Sequence, residues 1–172
     1  MPKRTTSAQI TAAELRRLIH AFVREFGLLD QNHTPCGKPL PVSHAHALMV
    51  LLERDPELGA ISQKELAGVL GIDKSNVARL CQRMEEAGHV EQQRSPKDGR
   101  ARFLKLTRSG AEIAREVDAS SRERFSSLLR AVPRDEHSTV RNALALLAAA
   151  VTASKSGPGE AAAPSAKQHR RR

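Results

Sequence analysis

Residues 62–90 read SQKELAGVLGIDKSNVARLCQRMEEAGHV, and this stretch predicts two short helices joined by a tight turn. Ser62 and Glu65 have the spacing of a capping box, so the first helix begins after Ser62. Gly71 can adopt the left-handed backbone that ends this helix. Asp73 is a good N-cap for the second helix. Two short helices joined by a glycine turn are the mechanical core of a helix-turn-helix.

The second helix, from Asp73 to about Ala87, has one apolar and one polar face. Its predicted buried face carries Val77, Leu80 and Met84. The opposite face carries side chains that can donate to phosphates and to base edges in a major groove, namely Ser75, Asn76, Arg79, Gln82 and Arg83. An ordinary solvated amphipathic helix would show the same pattern, so this face alone does not decide the function.

Two short strands are predicted after this helix, over residues 89–94 and 102–107, with turn residues between them. Four cations cluster around the turn: Arg94, Lys97, Arg100 and Arg102. A solvated turn seldom needs four cations, whereas a narrow minor groove attracts inserted arginine. The Asp98 carboxylate, two residues from Arg100, can orient that guanidinium by a bidentate contact. A helix-turn-helix followed by a basic hairpin predicts a winged helix.

Four further helices are predicted from apolar residues at three- and four-residue spacing, one from Thr11 to Leu29, one between Ser43 and Pro56, one from about Ser109 to Arg130 and one after Pro133. The first and the last two carry apolar stripes that a lone winged helix could not fully cover, and such stripes are usually shared with a partner. Packing within one chain is the alternative. The fold class is therefore mainly α with a small β-hairpin wing.

The expected domain spans residues 10–154. Its winged helix-turn-helix core covers about 43–107, and its dimerisation helices cover about 11–29 and 109–153. Residues 1–9 and 155–172 are polar, and the latter are rich in Pro, Gly and Ala, so we expect both to be disordered.

Two motifs in the chain match a known family at the right separation. The first, around the hairpin, is Asp98-Gly-Arg100, then Leu104-Lys-Leu106-Thr107 and Gly110. The second, upstream, comprises Leu66-Ala67, Leu70-Gly71-Ile72, Ser75-x-Val77, Leu80, Met84-Glu85 and Gly88-x-Val90. With these motifs the chain resembles the MarR family of winged helix-turn-helix transcriptional regulators, over roughly residues 11–152.

The resemblance implies a homodimer that binds a palindromic DNA duplex and represses, less often activates, nearby genes. It places the helix after Asp73 in the major groove and the hairpin in the adjacent minor groove. Arg100 is then the minor-groove residue, which Asp98 orients. The remaining implied contacts are those of Ser75, Asn76, Arg79 and Arg83 to bases and phosphates, and of Lys97 and Arg102 to phosphates.

The composition of the chain indicates its class of binding partner and its cellular compartment. The net charge of +9 favours a polyanion, either nucleic acid or an acidic membrane. The chain has no Trp or Tyr, and proteins that grip single strands usually offer several aromatic faces, so a duplex is favoured. Its longest apolar run is far shorter than the ~20 residues that span a bilayer. Two cysteines suit a reducing compartment, so we expect a cytoplasmic protein without a membrane partner.

Sensing sites are less defined. The resemblance implies a small-molecule inducer in a cleft, for which Phe22, Phe26 and His46 are the candidate lining residues. Cys36 could instead be a redox-sensing thiol. A zinc site built from the nearby imidazoles is not favoured, since His44 and His46 lie two positions apart on a helix and point in different directions. No metal or other cofactor is predicted.

Three other functions were weighed. A metal- or thiol-responsive regulator would share the same fold. A winged helix that docks proteins would usually present apolar or aromatic anchors, whereas the face described above is rich in arginine. An enzyme is not predicted, because the chain has no phosphate-binding glycine loop and no catalytic constellation.

Overall fold

A computed structural model of the chain describes residues 9–54, 60–94 and 102–155. In chain order, its elements are α1 (Ala12–Phe26), α2 (Val42–Leu52), β1 (Ile61–Ser62), α3 (Gln63–Leu70), α4 (Lys74–Glu86), β2 (Val90–Arg94), β3 (Arg102–Leu106), α5 (Arg108–Ala131), a short 3-10 helix (Arg134–Glu136) and α6 (His137–Lys155). The predicted mainly α fold with a small antiparallel sheet is confirmed. The expectations for residues 1–8, for the turn over 95–101 and for 156–172 lie outside the described residues.

The chain divides into two compact units, one ending at Ser126 and the other beginning at Ser127. The second unit holds the end of α5, the 3-10 helix and α6. Within it, the His137 ring nitrogen Nε2 lies 3.2 Å from the Leu129 carbonyl and 3.1 Å from the Val132 carbonyl, which ties the start of α6 to the end of α5. In the described parts of the chain, no helix is long and apolar enough to cross a membrane.

The helix caps follow the sequence pattern closely. The Ser62 backbone N–H donates to the Glu65 carboxylate at 2.9 Å, and the Glu65 N–H donates to the Ser62 hydroxyl at 3.1 Å, which completes the predicted capping box. Gly71 has φ 65° and ends α3 as predicted. In contrast, α1 ends at Phe26, three residues before its predicted end. Gly27 adopts φ 83° there and turns the chain out of the helix.

The core of the first unit lies between α2, α3, α4 and the sheet. Its fully buried side chains include Leu48, Ile61, Leu66, Val77, Met84, Val90 and Leu104. The sheet has the antiparallel order β1–β3–β2, so the hairpin of β2 and β3 is extended by the short β1 strand. β1 was not predicted, since only two residues, Ile61 and Ser62, pair with β3. Ile61 thereby brings the start of α3 onto the sheet.

The hairpin is joined to α4 and α5 by one cluster of hydrogen bonds and close contacts, here called the wing-root junction (Gly88, His89, Thr107 and Gly110). The His89 N–H donates to the Met84 carbonyl at 2.9 Å, and the His89 carbonyl accepts from Thr107 N–H at 3.1 Å. The Thr107 hydroxyl donates to the Gly88 carbonyl at 2.7 Å and accepts from Gly110 N–H at 2.9 Å. These bonds fix the end of α4, the hairpin and the start of α5 relative to one another.

Gly110 allows that junction to close. A Cβ atom at Gly110 would overlap the carbonyl oxygen of His89, which is backbone and cannot swing away. We therefore expect Gly110→Ala to lower the free energy of unfolding by about 2 kcal/mol or more, as overpacking in a tight contact does. Urea unfolding followed by circular dichroism measures this change.

Gly68→Ala is the matched control, because a Cβ atom there meets nothing within 4 Å on α3. A helical alanine in place of glycine should raise stability, by about 1 kcal/mol at most. Equal stability of Gly110→Ala and the wild type would contradict the close approach at His89.

Candidate nucleic-acid interface

The two faces of α4 are arranged as predicted. Val77, Leu80 and Met84 are buried, at 6% exposure or less. The opposite side presents five exposed polar residues, Ser75, Asn76, Arg79, Gln82 and Arg83. Cys81 is fully buried with the apolar face, and burial raises the pKa of its thiol to about 11. Its thiol therefore stays protonated at neutral pH.

A hydrogen-bond network orders the first turns of α4. Asp73 accepts from the backbone N–H groups of Ser75 and Asn76, at 2.9 Å each, and from the Ser75 hydroxyl at 2.6 Å. The Asn76 side-chain amide also donates to Asp73, and its oxygen accepts from Arg79 Nη2 at 2.7 Å. The Ser75 hydroxyl and the Asn76 N–H hold the pKa of Asp73 down, at about 2. This chain of bonds fixes Asn76 and Arg79 on the outer face.

The hairpin is clamped to the helices through one glutamine of β2. Gln92 donates from Nε2 to the Glu85 carboxylate on α4 at 2.7 Å and accepts from Gln63 of α3 at 2.7 Å. The Gln92 backbone N–H also donates to Glu85 at 3.2 Å. Sequence reasoning missed Gln92, since its partners lie 7 and 29 residues away. The clamp and the wing-root junction together hold the hairpin beside α4.

Of the basic hairpin residues, the structure describes the side chain of Arg102, which is exposed on β3. Its backbone pairs with that of Arg94 on β2, at the turn end of the hairpin. Lys97, Asp98 and Arg100 lie outside the described residues, so the minor-groove role of Arg100 and the orienting role of Asp98 stay predictions.

A cavity of about 440 Å³ opens between the first turn of α2 and α4. Its lining residues are Ser43, Ile72, Asn76, Arg79, Leu80 and Arg83. Three of these are predicted DNA contacts, and the structure brings them together around one concavity. Ser43 was missed, because it lies more than 30 residues before α4 and nothing local to it marks the proximity.

A second cavity, of about 360 Å³, lies beside α2 and has a largely apolar wall. Phe26, His46 and Cys36 all line it, so two of the three predicted pocket residues and the predicted thiol face one space. Phe22 is outside that lining and stacks on the Phe26 ring, with centroids 5.2 Å apart. Cys36 Sγ lies 3.0 Å from the Thr34 hydroxyl. The assignments of ligand pocket and redox thiol stay predictions.

His44 and His46 diverge as predicted, since His44 is buried while His46 is exposed. The His44 Nε2 lies 3.0 Å from Nδ1 of His89, and the two rings meet edge to face. Burial chiefly, with the nearby charges of His89 and Arg83, lowers the pKa of His44 to about 4. Burial also lowers the pKa of His89. Within residues 9–54, 60–94 and 102–155, no three His, Cys, Asp or Glu side chains form a group that could hold a metal ion.

This buried pair predicts how stability depends on pH. An unfolded imidazole binds a proton near pH 6.5, whereas folded His44 resists protonation until about pH 4. The unfolded state therefore binds more protons between these values, and stability, full above pH 7, falls as the pH drops through this window. We expect the His44 contribution to cost about 2 kcal/mol at pH 5, measured by urea unfolding at pH 7 and pH 5.

His44→Gln, which keeps a polar group and cannot titrate, should reduce this loss. His46→Gln replaces an exposed imidazole two positions away and should lose as much stability as the wild type. An unchanged pH dependence in His44→Gln would show that His44 is not the group responsible.

Comparison with known proteins agrees with this geometry. The MarR family model matches residues 38–101. The transcriptional repressor MprA of Escherichia coli K12 is 36% identical over 89 residues, which is 52% of this chain and 51% of MprA. The HTH-type transcriptional regulator PetP of Rhodobacter capsulatus is 31% identical over 86 residues, half of each chain. The chain thus spans about half the length of the curated relatives that it matches.

Among solved structures, a mutant of Escherichia coli MarR in complex with operator DNA is similar. It has a TM-score of 0.62 and 25% identity, over 77% of this chain and 92% of that one. A helix-turn-helix with an attached antiparallel hairpin defines the winged-helix class. Residues 38–101 match the MarR family model, and the resemblance found in the sequence is confirmed.

Proposed function

We propose that this protein is a transcriptional regulator that binds a specific double-stranded DNA sequence. The observation that carries this proposal is the outer face of α4, where the side chains of the first three turns are exposed and carry hydrogen-bond donors. Arg79 and Arg83 lie one turn apart on it, and the Asp73 carboxylate is already satisfied by hydrogen bonds at the helix start. A polyanion is the partner that such a face attracts.

The carboxylates at the other end of α4 do not weaken this argument. Glu85 is held by Gln92, and Glu86 accepts from the Gln82 amide at 2.8 Å. Both therefore act within the protein, one in holding the hairpin and one along the helix. We assign base and phosphate contacts to Ser75, Asn76, Arg79 and Arg83, and phosphate contacts to Lys97 and Arg102. Arg100, oriented by Asp98, is assigned to the minor groove.

The homologous proteins support this choice over a protein-docking role. MprA is a repressor and PetP a regulator, and the similar MarR structure was solved with operator DNA. Ligand responsiveness stays a prediction from the family resemblance, with the apolar cavity beside α2 as its candidate site.

Substitutions on the proposed DNA-contacting surface, which comprises the polar face of α4 and the hairpin, test the proposal. Arg100→Ala should lower the affinity for a selected operator at least about tenfold, because a guanidinium in a narrow minor groove is lost. Arg79→Ala should cost about 1–3 kcal/mol and relax specificity at the base it contacts. Fluorescence anisotropy with labelled duplex measures both.

Arg122→Ala is the control, since its exposed guanidinium on α5 pairs with Asp118 at 2.7 Å within one helix. It should bind as the wild type does. Wild-type affinity in both Arg79→Ala and Arg100→Ala would remove α4 and the hairpin from DNA binding and favour the docking module.

We also propose that the regulator is a homodimer. Large apolar side chains are exposed in each unit of the single chain. In the first unit they include Leu18, Ile19, Phe22, Leu29 and Phe125. In the second they include Leu128, Leu129, Leu144, Leu146 and Val151. Apolar surface of this extent, along long helices, is typical of an interface between two copies.

Breaking that surface should break the dimer. Leu144→Glu places a charge on α6 at a side chain that is 59% exposed in the single chain, so folding should survive while association weakens. Sedimentation equilibrium should then show the wild type at twice the chain mass and the variant shifted toward one. Val69→Glu is the control, because Val69 is an isolated exposed apolar side chain on α3. This variant should have the same mass as the wild type. A monomeric wild type would contradict the proposal.

A further inference from the structure

The cavity of about 440 Å³ between α2 and α4 is open to solvent and has a polar wall. Its polar wall is built from Ser43 on α2 and from Asn76, Arg79 and Arg83 on α4, and its floor is Ile72 and Leu80. All four polar side chains are exposed and carry a hydrogen-bond donor. Two elements of the fold, rather than α4 alone, therefore face the same space.

The chemistry of the cavity suits an oxyanion. Two guanidiniums line it, and its six lining residues include no carboxylate. Arg79 uses one N–H group to bind Asn76, and a guanidinium has five, so most of its donors can bind a ligand. Guanidinium groups together with a hydroxyl are a common setting for phosphate oxygens.

Ser43 is also held at a fixed position relative to α4. It lies in the first turn of α2, beside Ala45, Ala47 and Leu48, which are buried in the core at 2% exposure or less. The next residue, His44, contacts His89 just beyond the end of α4 at 3.0 Å. A side chain mounted on such a packed helix can position a ligand more closely than one on a loop.

We propose that this cavity, the α2–α4 seat, holds one backbone phosphate of the bound duplex, and that Ser43 contacts it. This inference rests on the proposed DNA-binding function. A helix in the major groove is flanked by the sugar-phosphate backbones, and contacts to them set its register without reading bases. The α2–α4 seat is open to solvent and lies next to the proposed base-contacting side chains of α4. A backbone phosphate of the duplex would lie at this position.

The matched test compares the exposed serines at the second residue of α2 and of α6. Ser43→Ala should weaken duplex binding about three- to tenfold, the value of one typical net hydrogen bond. The loss should be equal for operator and unrelated duplexes, because a phosphate contact carries no sequence information. Ser43→Thr, which keeps the hydroxyl, should restore binding, and Ser138→Ala should match the wild type.

Salt dependence separates the serine from the arginines. Ser43→Ala should leave the slope of log affinity against log salt unchanged, since serine carries no charge. Arg83→Ala should reduce that slope by about one. A Ser43→Ala variant that binds as tightly as the wild type would overturn the assignment of Ser43.

A scan with single methylphosphonate substitutions, which remove one backbone charge at a time, locates the phosphate. At one position per half-site, the substituted phosphate should be the one that Ser43 contacts. On that duplex, Ser43→Ala should cause no further loss of affinity, because the contacted oxygen is already altered. An equal Ser43→Ala penalty on every substituted duplex would overturn the proposal.

Two further measurements separate a DNA phosphate from a free phosphate ion, and failure of the seat from failure of the proposed function. Calorimetry with inorganic phosphate should show no saturable binding at millimolar concentration. Saturable binding that Ser43→Ala abolishes would assign the seat to a free oxyanion and overturn the DNA contact. Wild-type protein that binds no duplex at all would refute the proposed function, whereas tight wild-type binding with no effect at Ser43 refutes the seat alone.

Discussion

The close approach of His89 to Gly110 is the constraint on which the proposed DNA-binding surface, the polar face of α4 with the hairpin, depends. The backbone of His89 thereby joins the end of α4, the first hairpin strand and the start of α5. Gln92 adds a second tie, from the hairpin to α3 and α4. With both ties in place, the polar face of α4 and the root of the hairpin form one rigid surface. Two grooves of one duplex can be contacted together only if these elements keep their relative positions.

Helix α2 connects this surface to the rest of the first unit. Three of its residues face three different surroundings: Ser43 the cavity beside α4, His44 the ring of His89, and His46 the apolar cavity. Helical geometry turns His44 away from both Ser43 and His46, because residues one or two positions apart on a helix point in different directions. Because the core side chains of α2 are closely packed, a movement of α2 caused at one cavity would also shift its contacts with His89 and with the polar face of α4.

What the sequence predicted well was local. The capping box of Ser62 and Glu65, the N-cap Asp73 and the two faces of α4 depend on residues within a few positions, and each was found where the pattern placed it. The features that were missed depend on distant pairs. β1 exists through its pairing with Leu104, and the seat residue Ser43 faces α4 only because the core folds α2 against it. The early end of α1 was readable in principle, since Gly27 is a helix C-cap residue.

We propose that two copies of the α4 and hairpin surface bind one palindromic duplex. Hydroxyl-radical footprinting on a duplex selected from a random pool tests it most directly. We expect two symmetric protected blocks, with half-site centres about 10 base pairs apart or a multiple of that, and protection that weakens steeply with salt. A single unsymmetric block, or protection without any preferred sequence, would contradict it.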